Sequence, residues 1–229
     1  MVFIRWRVPT IIAALIALTL ATSLVAAIDA RSGGSLYLAL ALVPAQVWHG
    51  QVWRLVTWPL VEGDPWALVF ACVTLYWFGG DLVSAWGGRR FARYVAAIVV
   101  LAGCGTSLLA LVVRLAWHRP HLGGWALGDA LVIAWALQFP ARRIRLHGLF
   151  VVGGELLAYG TFGFVLLCTA FFGLAPLLPE LLAGAGALVY ITGTLDRVTA
   201  ALAGWRAAAT RRYQRRHLHV VPDDDHLPN

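Results

Sequence analysis

The chain of 229 residues has no lysine, one methionine, and 13% charged residues against 60% hydrophobic. A soluble domain carries about 25% charged residues, so a mean hydropathy of +0.76 excludes that class. All 18 basic residues are arginine, which reads as composition bias. In a membrane protein a net charge of +7 is first a topology signal, and no nucleic-acid partner is implied. Cysteine is scarce as well: Cys72, Cys104 and Cys168 fall in separate apolar runs without ligand spacing. That excludes a disulfide framework and leaves them as small buried hydrophobes. His49, His118, His121, His147, His217, His219 and His226 all fall in expected loops or the tail. His217 and His219 with Asp223, Asp224 and Asp225 have poor ligand spacing and read as a solvated tail, so neither metal nor cofactor is expected.

What is present is a series of apolar runs. Residues 10–28 follow Arg5 and Arg7 and are long enough to span the ~30 Å hydrocarbon core. Val25-Ala26-Ala27 would pass as a signal cleavage site, but a retained first helix is the expectation. Residues 35–60 are apolar yet broken by Pro44, Gly50 and Pro59. With Tyr37, Trp48, Trp53 and Trp58 they read as an interfacial segment. Further spans are expected at about 66–86, 95–113, 124–139, 149–172 and 177–195. Residues 196–220 carry Val198, Leu202, Trp205 and Ala209 at helical spacing among arginines, a basic amphipathic helix suited to anionic lipid. Residues 221–229 form an acidic tail expected to be disordered. No internal repeat is evident.

The arginines orient this layout. Fourteen fall on the side of the amino terminus, against Arg31, Arg54, Arg114 and Arg119 on the other. Six spans with both termini cytoplasmic satisfy the positive-inside rule. The expected location is a bacterial inner membrane.

Three separated stretches carry a resemblance. Gly50–Leu60, GQVWRLVTWPL, places Trp53 beside Arg54, and an arginine beside an indole can anchor or stack. The second span carries Phe78-Gly79 and ends at Trp86-Gly87 before Arg89, Arg90 and Arg93. The run Gly123–Pro140, GGWALGDALVIAWALQFP, closes on Phe-Pro and then on Arg142, Arg143 and Arg145. In this order they resemble the rhomboid intramembrane serine proteases. The resemblance covers residues 36–195 and implies an all-α polytopic membrane protein, a six-helix rhomboid-like bundle with an interfacial first loop. It gives Trp53, Arg54, Gly79, Gly87, Gly124, Gly128 and Pro140 structural roles. Gly124-x-x-x-Gly128 satisfies the small-residue packing pattern, used here within the bundle.

The resemblance also shows what is missing. The family's nucleophilic serine falls at Trp125 and the following glycine at Ala126. Its loop histidine falls at Glu62, its second-helix histidine at Ala67 and its asparagine at Ala71. Around Gly184 and Gly186, where the sixth helix would carry histidine, stand only leucine and alanine. A serine at its free pKa needs an adjacent base, and neither Ser84 nor Ser107 has a histidine at its depth. The expectation is a pseudoprotease with no catalytic residue, in which Trp125 plugs the vacated cavity.

Asp129 and Glu155 are the intramembrane polar candidates, since ionisable groups at such depth are costly; a protonated or hydrogen-bonded carboxyl buried between helices is the plain reading and a functional group the other. Direct pairing between them is not expected. The implied partners are the bilayer, other integral membrane proteins, and anionic lipid at the tail. The expected function is to bind membrane proteins as a client-binding pseudoprotease or accessory subunit. A subunit fixed in a larger complex is the alternative, and a transporter built on Asp129 and Glu155 is a weaker third.

Overall fold

A computed structural model describes residues 8–146 and 150–193. The expected amphipathic segment and acidic tail lie outside them. Helix α1, Thr10–Arg31, starts behind Pro9, whose carbonyl accepts from the Ile12 N–H at 2.9 Å. Beyond its end the chain turns at Gly33, with φ of 79°, and Asp29 Oδ2 accepts from the Leu36 N–H at 2.8 Å. Three short helices follow, α2 (Leu36–Leu40), α3 (Pro44–Trp48) and α4 (Arg54–Thr57), then a 3-10 turn at Trp58–Leu60. Pro44 and Pro59 stand at first-turn positions, where the missing N–H is harmless, and they keep this apolar stretch from becoming one long helix.

Asp64 caps α5 (Pro65–Thr74), its Oδ1 accepting from the N–H groups of Trp66 and Ala67, each at 2.9 Å. A π-helical turn, Leu75–Gly79, leads into α6 (Gly80–Trp86). Gly87, at φ 79°, reverses the chain into α7 (Gly88–Leu109). A 3-10 turn at Arg114–Ala116 precedes α8 (Gly124–Gln138). Strands β1 (Arg143–Leu146) and β2 (Phe150–Gly153) then pair antiparallel, Arg143 opposite Gly153. Helix α9 is Gly154–Phe172 and α10 is Leu178–Ile191, after a further 3-10 turn at Ala175–Leu177.

Four passes, Thr10–Arg31, Pro65–Trp86, Gly88–Leu109 and Gly154–Phe172, are long and apolar enough to cross a membrane. With the shorter α8 and α10 they make the all-α polytopic membrane bundle expected from the sequence, carrying one small hairpin. Helix α8, at 15 residues, is only about 22 Å long at 1.5 Å per residue. It lies at the centre of the bundle, between α5, α9 and α10. Ala126, Ala130 and Ala134 are fully buried, because small side chains let backbones approach where burial from water supplies no drive. Tyr94 donates to the Ala130 carbonyl at 2.7 Å, tying α7 to α8. Gly105 and Gly186 let α7 and α10 close on Leu182, Leu101 and Ile98.

Two helix starts differ from the expectation by five residues or more, and the ends of α1, α7 and α10 differ by three or four. Helix α7 begins at Gly88, about seven residues before Val95, because Arg89, Arg90 and Arg93 ride its exposed face while Phe91 and Tyr94 are buried. Helix α9 begins at Gly154, not Leu149, because the apolar residues 150–153 pair as a strand. A Cβ at Gly154 would lie 2.8 Å from the Phe139 carbonyl oxygen and 2.9 Å from that of Ala136, so α9 starts directly on the end of α8.

Candidate functional site

The first loop is held by Arg54. Its side chain is buried, with Nη1 donating to the carbonyls of Leu38 and, at 2.6 Å, of Ala41, and Nε donating to Gln51 Oε1 at 2.7 Å. Trp53 is half-exposed and donates from Nε1 to the Ala39 carbonyl at 3.3 Å. Arg54 thus closes α2, the following turn and α4 into one unit. Trp53 sits on its outside.

That unit delivers Trp58 and Glu62 to the amino-terminal end of α8, where Gly123 and Gly124 make room. A Cβ at Gly123 would lie 2.3 Å from the Trp58 ring and 2.5 Å from the Pro59 Cα. A Cβ at Gly124 would lie 1.4 Å from Glu62 Oε1 and 3.2 Å from the Ala71 Cβ. Glu62 is buried and its backbone N–H donates to Ser23 Oγ on α1 at 3.0 Å. Burial pushes the Glu62 carboxyl up to about 7; the Asp64 carboxylate pushes the same way, and the Gly124 N–H pulls against them. Oε1 has no hydrogen-bond partner among the described residues. The electropositive start of α8 suits a carboxyl.

Ala67 and Ala71 are buried on α5, and Ala71, Gly124 and Gly128 line a void of about 10 Å³. That is the lower limit for a single water. Gly128 is less constrained than Gly124, a Cβ there lying 3.6 Å from Thr74 Cγ2. Gly79 is needed for contact with Ile12 and Phe91, whose nearest atoms would lie 2.9 and 3.4 Å from an added Cβ. Pro140 follows the last turn of α8. There Trp135 Nε1 donates to Asp81 Oδ2 at 2.9 Å, Arg142 pairs with the same oxygen, and Trp86 Nε1 donates to Gln138 Oε1 at 2.9 Å.

Trp125 is not the buried plug expected from the sequence. Its side chain is 47% exposed and tilts against Phe70 at 5.8 Å between centroids. The second residue of a helix points where the turn dictates, and here that is outward past α5, since Gly124 already carries Glu62. The serines offered as alternatives are engaged within their own helices: Ser107 Oγ donates to the Gly103 carbonyl at 2.8 Å and Ser84 Oγ to that of Gly80 at 2.9 Å.

The larger opening lies beside Trp125. A cavity of about 250 Å³ between α8, α9 and α10 is walled by Trp125, Phe164 and Phe172, with Asp129 and Glu180 in its lining. Glu155 is not part of it: the later start of α9 puts this residue in the first helical turn, exposed, where a carboxylate complements the helix dipole. The second acid in this lining beside Asp129 is instead Glu180, which sequence reading passed over. The signal was present, an acid three residues into an apolar run. Its place opposite Asp129 required the α8–α10 packing.

Residues 12–195 match a family described as eukaryotic integral membrane protein (DUF1751), which is grouped with the rhomboid-like families. Among curated proteins, none matches the chain. The eukaryotic character of the family overturns the bacterial inner membrane expected from the sequence. Because the match runs from the first turn of α1 to beyond α10, the chain belongs to this family of integral membrane proteins, on a rhomboid-like scaffold.

Proposed function

We propose that this protein is a rhomboid-like pseudoprotease, without peptidase chemistry, that binds other membrane proteins at the opening beside α9. The supporting observation is the contrast between two sites. At the positions matched to the family's loop histidine and second-helix asparagine, Glu62 and Ala71 close on Gly124 around a void of about 10 Å³. On the bilayer side, an aromatic-walled cavity of about 250 Å³ lies open. Acyl transfer needs an activated nucleophile and donors aimed at an oxyanion, and neither Trp125 nor Ala67 nor Ala71 supplies them. The weak packing of α9, whose described side chains such as Tyr159 and Phe171 are exposed, favours lateral entry. Permanent incorporation in a larger complex is the second reading, favoured by the same exposed aromatics.

Extraction from the native membrane in mild detergent through a carboxy-terminal tag tests this. Many substoichiometric membrane proteins, reduced by blocking the cavity with Val165→Trp, support client binding. A constant stoichiometric partner makes the chain a subunit. Elution alone even after cross-linking in the membrane overturns both, and labelling by a serine-directed fluorophosphonate overturns the loss of peptidase chemistry.

A further inference from the structure

We propose that the cavity between α8, α9 and α10 receives one basic side chain, arginine or lysine, presented by a transmembrane helix of another membrane protein, with Asp129 and Glu180 as its counter-charges. This deepens the reading of the chain as a binder of membrane proteins and rests on it.

The two carboxyls stand on different helices, Asp129 in the second turn of α8 and Glu180 in the first turn of α10, and both line one cavity. Oxygen Oε2 of Glu180 is shielded from solvent and has no hydrogen-bond partner among the described residues. Neither acid has an ion pair there; the one among the described residues joins Arg142 to Asp81 near the other ends of these helices. Two uncompensated carboxyls facing an apolar space are costly, and a cation entering between them removes that cost.

The walls say where the cation comes from. Trp125, Phe164 and Phe172 are 47, 54 and 73% exposed, so the mouth faces the bilayer and a ligand arrives sideways. At about 250 Å³ the cavity accommodates a long side chain, whereas a helix is about 10–12 Å across. The helix therefore stays outside and sends one residue in. A basic residue in the outer turns of a membrane helix is itself poorly solvated, and the aromatic walls add attraction for a cation.

Cys168 also lines the cavity and reports its occupancy. The full chain with Cys72→Ala and Cys104→Ala is placed in phosphatidylcholine nanodiscs. The probe is a polyleucine transmembrane peptide bearing one arginine near an end, with the all-leucine peptide as control. Alkylation of Cys168 by a membrane-permeant maleimide is timed. The arginine peptide is expected to slow alkylation by about tenfold relative to the leucine peptide, and Asp129→Asn with Glu180→Gln to abolish the difference. Glu180→Gln alone, in the first turn of α10, serves if the double variant does not fold. Equal protection by both peptides, or a preference that survives the amide variants, overturns the proposal. Slowing by phosphatidylethanolamine without peptide also overturns it, by assigning the cavity to a lipid amine. If the peptides fail but partners from the native membrane still bind the amide variants, only this inference falls; if no partner binds either, the functional reading falls with it.

Discussion

Glu62 Oε1 occupies the space that a side chain at Gly124 would need, 1.4 Å from where its Cβ would stand. The buried loop carboxyl and the bare first residue of α8 are therefore one device. Gly124→Ala is expected to destabilise the solubilised protein by about 1–3 kcal/mol, the usual range for overpacking. Glu62→Ala should relieve most of that cost in the double variant, a coupling read by a double-mutant cycle in thermal or denaturant unfolding. Gly123→Ala has no such relief, because the Trp58 ring and the Pro59 backbone lie 2.3 and 2.5 Å away. Additive costs for positions 62 and 124 would separate the two residues.

The same carboxyl gives stability a pH dependence. Burial raises Glu62 from 4.5 to about 7, so between these values the folded chain holds a proton that the unfolded chain has released. Its contribution is full below about 4.5, falls as pH rises towards 7, and is lost above. Glu62→Gln should flatten the decline over that window, measured as the difference between variant and parent midpoints across pH 4.5–8. A parallel pair of curves would show that Glu62 does not titrate there.

The scaffold was legible because its causes are local. Apolar length and the arginines beyond Trp86 each act within a few residues. The start of α9 was not legible, since residues 150–153 are as apolar as a helix and only pairing with Arg143–Leu146 makes them a strand. That boundary moved Glu155 from mid-span to the first turn of the helix. Positions 67, 71 and 125 could be matched in sequence to the site positions that the resemblance implies. Their occupancy could not, because Glu62 reaches Gly124 across a loop whose path depends on Arg54. Glu180 became visible only when α10 packed on α8.

Within the adjacent pair Trp53 and Arg54, the arginine carries the loop. Arg54→Ala exposes the carbonyls of Leu38 and Ala41 without donors in a buried place, and a loss of about 2–3 kcal/mol is expected for charge-assisted bonds. Arg54→Lys should recover little of it, since one ammonium cannot reproduce the fork that also reaches Gln51. Trp53→Ala, removing a half-exposed ring with one 3.3 Å bond, should cost less than about 1 kcal/mol. Limited proteolysis of residues 33–60 follows the loop directly: cleavage should accelerate in the Arg54 variants and stay unchanged in Trp53→Ala.

Trp58 and Trp125 make the final contrast, because both indoles lie near the start of α8 but only one is enclosed. Trp58 is 1% exposed and its ring lies against Gly123, whereas Trp125 is 47% exposed and touches Phe70 at 5.8 Å. Trp58→Ala should therefore cost about 3–5 kcal/mol, as for a large core side chain. Trp125→Ala should cost about 1 kcal/mol, the scale of one aromatic pair. Their functional effects should run the other way: Trp125→Ala widens the cavity mouth and should speed alkylation of Cys168, while Trp58→Ala, in whatever fraction stays folded, should leave that rate unchanged. If Trp125→Ala lowered stability as much as Trp58→Ala, the indole would be a plug after all, and the cavity wall would have to be redrawn without it.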